Sequence, residues 1–247
     1  TLLNSDELDK DIREQLRLSF LKLPAEIDNI DVRKDHFRSL KFHRNNYFYD
    51  FLMKICELLT ENLLVDETNG NKVFQDFTRD EIKMRYLFES FVENFYKKNK
   101  SDHGHNVRGQ SQSAWVAEPL NENSMKYLPI MKPDIVMINK STNKKIILDT
   151  KYYKKAFKSN QYGQEKVSRN DIFQMFSYMK NLELRDEIDS KNIGYEKYEG
   201  ILLYPTVFPN PDKPSWDLHG HKLSIKFINM NQGWDSIHKD LIKLVRI

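Results

Sequence analysis

The strongest constraint on the fold is a pair of apolar runs held apart by a short polar stretch. Pro133 to Ile138 and Lys145 to Tyr153 are rich in Ile, Val and Leu, while Asn139 to Lys144 between them is Asn, Lys, Ser and Thr. Such runs read as β-strands and the connector as a turn, so the two are expected to pair as neighbours. Charge interrupts each run at a defined place. Asp134 opens the first, and Asp149 and Lys151 stand two apart in the second. Residues two apart in an extended chain point to one face of the sheet. Four apolar residues follow Asp134 and three precede Asp149, so pairing through the 139–144 turn sets Asp134 against Asp149. Two carboxylates and an ammonium then converge at one sheet edge.

Carboxylates crowded in a partly apolar site need a cation, and an all-oxygen donor set favours Mg²⁺ or Mn²⁺ over zinc. An ion held by Asp134 and Asp149, with the Thr150 carbonyl as third ligand, can polarise a phosphodiester and acidify a bound water. Lys151 beside it can orient that water or stabilise developing negative charge. The plainer alternative is that Asp134 caps a turn and that Asp149 and Lys151 are an exposed pair on an edge strand. Two other signals bear on the choice. Glu89 lies beside the apolar face of its helix, flanked at helical spacing by Tyr86 and Val92. It is either a further carboxylate of the metal site or an ordinary surface acid. Gln174 and Tyr178 are spaced i,i+4 and share a helix face from which both can reach the site.

The remaining chain supplies the frame. Leu8 to Leu23, Tyr47 to Leu64 and Arg79 to Lys98 carry apolar residues near a 3.6-residue period and read as helices. Asp66 to Asn71 is a turn, and the polar stretch from Lys97 to Ser113 a loop. After it the period changes: Trp115 to Glu118, the two runs above, Gly200 to Pro205 and Leu223 to Ile228 read as strands. Helices are expected from about Asp171 to Leu182, with Ser168 or Asn170 as N-cap, and from Trp234 to Val245. This order describes an α/β or α+β domain over residues 76–247, behind a helical N-terminal region over residues 1–75.

Charge and cysteine content narrow the function. The 39 basic and 36 acidic residues leave a net charge of only +3. From Lys140 to Arg169, however, nine basic residues meet only Asp149 and Glu165. Such a block is either a solvated face or a surface for a polyanion. Lys154, Lys155, Lys158 and Arg169 within it, and Lys132 ahead of it, are the candidate nucleic-acid contacts. Tyr152, Tyr153, Phe157 and Tyr162 nearby are either stacking platforms or core. The lone Cys56 excludes an intramolecular disulfide, fits a reducing, cytoplasmic setting and reads as core filler. No apolar stretch reaches the ~18 residues of a membrane span, so no membrane partner is expected. His103-Gly104-His105 and His219-Gly220-His221 lack further ligands at zinc spacing, and no nucleophile triad can be assembled. The chain opens on Thr, as expected of a piece cut from a longer protein.

The ordered set of helix acid, Pro133-Asp134, Asp149-Thr150-Lys151 and Gln174-Met175-Phe176-Ser177-Tyr178 resembles the PD-(D/E)xK nucleases, with the Q-x-x-x-Y of their RecB-like branch. Within that superfamily, Met84 to Val92, Lys132 to Val136 and Ile147 to Tyr152 are similar to McrC, the nuclease subunit of modified-cytosine restriction systems. Lys132 stands where Arg is expected, which forgoes bidentate phosphate geometry. The resemblance covers roughly residues 45–205, and such proteins usually carry a longer N-terminal portion. It implies a restriction-endonuclease-like core, a mixed central sheet flanked by helices. It also implies Mg²⁺- or Mn²⁺-dependent cutting of DNA in a type IV, modification-dependent restriction system. Asp134, Asp149, Lys151, Glu89, Gln174 and Tyr178 would form the catalytic set. A separate AAA+ GTPase motor, McrB-like, is the implied partner; no G-x-x-x-x-G-K-[ST] stands in this chain. Cutting both strands needs two sites, hence a dimer or higher assembly. A binding or assembly module on the same fold, or an RNA- or end-directed nuclease, are the alternatives.

Overall fold

Helix and strand follow one another much as the sequence period predicts, while the turn expected at Asp66 to Asn71 lies outside the described residues. The computed structural model describes residues 9–24, 26–28, 30, 32, 34–42, 47–61, 63–65, 72–74, 80–152, 156–159, 162–189, 197–207 and 214–246. The chain divides into two compact units, Thr1–Met84 and Arg85–Ile247. The first holds helices α1 (Lys10–Phe20), α2 (Lys34–Ser39) and α3 (Tyr47–Glu61), then a short antiparallel pair, β1 (Leu63–Val65) and β2 (Lys72–Phe74). Asp9 caps α1 by accepting from the N–H groups of Asp11 and Ile12, which satisfies donors a helix start leaves free. Cys56 is exposed on α3 and is not core filler. The half-buried stripe of that helix runs through Leu52, Ile55 and Leu59 and leaves it outside.

Helix α4 (Glu81–Lys98) leads into the second unit, followed by α5 (Lys100–His103), β3 (Asn106–Gly109), a 3-10 turn at Ser124–Tyr127, β4 (Ile135–Ile138) and β5 (Lys145–Thr150). A small hairpin of β6 (Phe157–Ser159) and β7 (Glu165–Val167) precedes the long helix α6 (Arg169–Asp189). Then come β8 (Glu199–Thr206), β9 (Ser215–Leu218), β10 (His221–Asn229) and α7 (Trp234–Val245). Six of these strands form one mixed sheet in the order β3-β4-β5-β8-β10-β9. β3, β4 and β5 are mutually antiparallel, β5, β8 and β10 run parallel, and β9 returns antiparallel at the far edge.

Helices cover both faces. On one, Phe88, Val92, Phe95 and Tyr96 of α4 and Ile237, Leu241, Ile242 and Val245 of α7 pack on Ile135, Met137, Ile146, Leu148, Ile201, Leu203 and Ile228. Tyr96 donates its hydroxyl to the Leu241 carbonyl at 2.9 Å, tying the two helices. On the other face, Met175, Tyr178 and Met179 of α6 pack on Val136, Ile147, Leu202, Tyr204, Leu223 and Ile225. Gly200 lets α6 approach this closely: a Cβ there would lie 2.7 Å from Met175 Cγ and 2.9 Å from Met179 Sδ. Alternating strand residues thus serve opposite faces, as a two-residue period requires. The result is the expected mixed sheet flanked by helices.

Two further expectations fail. The stretch 97–113 is not a loop throughout, because Asn106–Gly109 adds β3 to the sheet, Val107 against Met137. As an edge strand with a single large apolar residue it carries no alternating pattern. Conversely, Trp115–Glu118 is not a strand. Side chains of α6 reach it instead of a strand: the Val116 N–H donates to Asn181 Oδ1 at 2.7 Å, and the carbonyl of Ala114, just ahead of the segment, accepts from Asn181 and Arg185. These two backbone groups thus find partners on a helix and not in a strand ladder. Among the described residues, no helix is long and apolar enough to cross a membrane. Leu148 is fully buried in β5 between α4, α7 and its neighbour strands. Leu148→Ala is expected to cost about 2–5 kcal/mol in urea denaturation; a loss below about 1 kcal/mol would contradict this packing.

Candidate active site

The register of the central hairpin positions the site. β4 and β5 pair with Ile135 opposite Leu148, and one further step sets Asp134 opposite Asp149, as the sequence predicts. In β5, Ile147 packs under α6, so Asp149 and Lys151, each two residues on, point to that same side. Burial is nearly complete: Asp149 is 3% exposed and the Lys151 side chain 12%. Helix α6 supplies what surrounds them. Ser168 is its N-cap, its hydroxyl accepting from the Asp171 N–H at 3.4 Å. Asp171, Gln174 and Tyr178 then follow at i, i+3 and i+7, one face of a helix.

Lys151 is the junction. Its Nζ lies 2.5 Å from Asp149 Oδ2 and 3.6 Å from Asp171 Oδ1, and it donates to Gln174 Oε1 at 3.0 Å. Gln174 in turn donates through Nε2 to the Tyr178 hydroxyl at 2.9 Å, and Tyr178 donates to the Lys132 carbonyl at 3.3 Å. A continuous chain of bonds therefore links the lysine of β5, one helix face and the backbone just ahead of Pro133.

Asp134 closes the other side. Its Oδ2 accepts from both the Thr150 N–H and the Thr150 hydroxyl, each at 2.7 Å. The Thr150 N–H is thus used on the Asp134 side, and in an extended residue the carbonyl leaves on the same side. Gln110 stitches the neighbouring elements together. Its N–H donates to the Asp134 carbonyl at 2.7 Å, and its Nε2 donates to Glu89 Oε1 at 2.8 Å. Glu93, one turn beyond Glu89 and paired with Lys97, fits against Gly109, where any Cβ would collide with its carboxylate.

Electrostatics follow from this crowding. Burial, then the charge of Asp134, pushes the Asp149 carboxyl up to about 7, against the pull of Lys151. Burial also raises Asp134, offset by the two Thr150 bonds and by Lys151. Glu89 is raised by burial and by Asp134, so its carboxylate is near enough to sense the pair. Tyr178 is raised by burial and then by Asp149. Acids that resist ionising beside one another are the setting in which a cation is stabilising. The donors present are the carboxylates of Asp134 and Asp149 and the Thr150 carbonyl, with Glu89 farther out. No group of three or more His, Cys, Asp or Glu stands ready to hold a metal among the described residues. Two carboxylates and a backbone oxygen nonetheless suit a hard cation that retains several waters.

The other sequence candidates divide. The side chains of Lys132 and Arg169 are exposed. Lys154, Lys155 and Tyr153 lie outside the described residues, as does the side chain of Lys158, whose backbone pairs with Lys166 in the small hairpin. Tyr152 packs into the core beside Phe88, and Phe157 beside Phe227, while Tyr162 is exposed. His103 and His105 are buried, their ring nitrogens engaging the carbonyls of Tyr96 and His103; burial lowers both pKa values. His221 is buried against Glu183. Sequence reading misses Gln110, Glu93 and Asp171. Glu93 and Asp171 were findable, at i+4 from Glu89 and i−3 from Gln174. Gln110 was not, because its left-handed backbone (φ 40°) sits in a stretch read as loop.

Comparison with known proteins gives two findings. The family described as McrBC 5-methylcytosine restriction system component matches residues 3–205. The Type IV methyl-directed restriction enzyme EcoKMcrBC of Escherichia coli (strain K12) is 28% identical over 243 residues, covering 98% of this chain and 65% of that protein. This chain therefore spans 65% of its relative's length.

The raised Asp149 pKa has a consequence for stability. Below about pH 4 its carboxyl is protonated in both folded and unfolded chains. Between there and about 7 the folded chain keeps a proton that the unfolded chain has released, so stability falls as pH rises and levels off above that value. Asp149→Asn removes this dependence. In metal-free urea titrations its advantage over the unaltered chain is expected to grow from pH 4 to pH 7 and then plateau; a gap independent of pH would contradict the assignment.

Proposed function

The chain belongs to the McrBC 5-methylcytosine restriction system component family, and from that premise we propose that it is the DNA-cutting subunit of a type IV, modification-dependent restriction system. One observation carries the reading. Asp149 is buried and Asp134, half-buried, stands opposite it, with Lys151 gripped by Asp149 and Gln174. An edge-strand ion pair has no need of a second carboxylate beside it or of a helix that bonds the lysine.

In this reading Asp134, Asp149 and the Thr150 carbonyl hold Mg²⁺ or Mn²⁺, with Glu89 completing the donor set through an intervening water. The ion would supply positive charge to a phosphodiester and lower the pKa of a bound water. Lys151 keeps its ammonium where negative charge develops on the phosphate oxygens and can pass a proton to the departing oxygen. Gln174 holds the lysine, and Tyr178 holds Gln174 against the backbone ahead of Pro133. Thr150 fixes the Asp134 carboxylate through two donors, which aims its free lone pairs. Lys132 and Arg169, both exposed, together with Lys154, Lys155 and Lys158, contact the DNA backbone and set salt sensitivity more than sequence choice.

We further propose that a separate AAA+ GTPase, McrB-like, moves the DNA and reads the modified base. Two copies of this chain in a dimer or higher assembly would cut the two strands in the cytoplasm. The test is cleavage of methylated plasmid DNA with the motor subunit, GTP and Mg²⁺ or Mn²⁺. Asp149→Asn and Lys151→Ala are expected to lower the rate about 10²- to 10⁴-fold while circular dichroism stays unchanged. Full cutting by both variants would refute the reading. Cutting of RNA, or of linear but not circular DNA, would move it to another branch of the same chemistry.

A further inference from the structure

Asp171 has no assigned part in the chemistry proposed above, yet its surroundings are those of a working residue. It lies in the first turn of α6 and is 4% exposed. An acid in a first helical turn is ordinarily favourable because it meets the positive end of the helix, but that benefit is available at the surface and needs no burial. Burying the carboxylate costs hydration that only partners can replace. Two partners are present. Lys151 Nζ is 3.6 Å from Asp171 Oδ1, and the Tyr204 hydroxyl donates to Asp171 Oδ2 at 3.3 Å.

Topology explains why these three meet. β5 and β8 run parallel with Asp149 beside Leu202 and Thr150 beside Leu203, so the next step brings Tyr204 level with Lys151. The Lys151 N–H donates to the Leu203 carbonyl at 2.9 Å, which keeps that register to the end of the strand. Tyr204 is 1% exposed and lies on the α6 side with Leu202. Asp171 comes down from the helix onto the same spot. An ammonium has three donors, and Asp149, Asp171 and Gln174 offer acceptors from three directions, two from α6 and one from β5.

We propose that Asp171, braced by Tyr204, is a positioning residue that fixes the Lys151 ammonium. This rests on the nuclease reading for its meaning in catalysis, but not for its geometry. Asp149 is then free to turn an oxygen toward a cation without losing the lysine, because Asp171 and Gln174 continue to hold it.

The experiment uses the full chain and two readouts. The first needs no cleavage: the rate at which an amine-acylating ester labels Lys151, followed by peptide mass spectrometry in metal-free buffer. Asp171→Asn, nearly isosteric, is expected to speed labelling about 10-fold, and Tyr204→Phe, which removes one hydroxyl, about threefold. Labelling unchanged in both variants would overturn the proposal, whether or not the protein cuts DNA. The second is single-turnover cleavage under conditions where the unaltered chain cuts. Asp171→Asn is expected to lower the maximal rate about 10- to 100-fold with DNA affinity within about twofold. A loss of affinity with an unchanged maximal rate would also overturn it. Should Asp171→Asn fail to fold, Tyr204→Phe alone decides by the labelling rate. Absence of cleavage in the unaltered chain would count against the nuclease reading only, and the labelling result would stand by itself.

Discussion

Two carboxylates set side by side, Asp149 buried and Asp134 half-buried, are the constraint on which the arrangement around them depends. Each is costly to bury alone, and together they repel. The protein answers with donors on every side: two from Thr150 to Asp134 and the ammonium of Lys151 to Asp149. The compensation is incomplete, since both carboxyls still hold their protons more firmly than usual. A structural ion pair would be expected to leave its acids with lowered pKa values. The remaining deficit of positive charge is what a divalent cation would fill.

The fold is arranged to keep that deficit in place. β5 is the central element: antiparallel to β4 on one side, it meets Asp134, and parallel to β8 on the other, it meets Tyr204. The helix that must cross between two parallel strands is α6, and its first two turns pass directly over the end of β5. Gly200 permits the close approach of helix to sheet, which brings Gln174 within hydrogen-bond reach of Lys151. From the opposite face, α4 presents Glu89, which Gln110 bonds from the stretch just after β3. Loss of precision at any of these contacts displaces the lysine or the acids, not the core.

What could be read from the sequence was what depends on local order. The β4–β5 hairpin, its register and the shared face of Asp149 and Lys151 follow from short-range alternation across a short turn. Gln174 and Tyr178 are likewise visible because helical spacing fixes their common face. What could not be read depends on contacts between distant segments. Strand β3 has one large apolar residue and exists because β4 offers an edge. Trp115–Glu118 has the composition of a strand, but the Val116 N–H bonds to Asn181, and the Ala114 carbonyl just ahead of it to Asn181 and Arg185. Gln110 became visible only through its bonds to Asp134 and Glu89. Asp171 looked like an ordinary first-turn acid until burial and Tyr204 gave it a different meaning. His103 and His105, which look like ligands in sequence, each spend one ring nitrogen on a nearby carbonyl.

We expect Asp134 and Asp149 to take up a cation between them. Calorimetric titration of the metal-free chain with Mn²⁺, in parallel with Asp149→Asn, tests it most directly. A saturable binding heat is expected in the unaltered chain and is lost in the variant, which stays folded. Equal heats in the two proteins, or no site-specific heat in the unaltered chain, would contradict it.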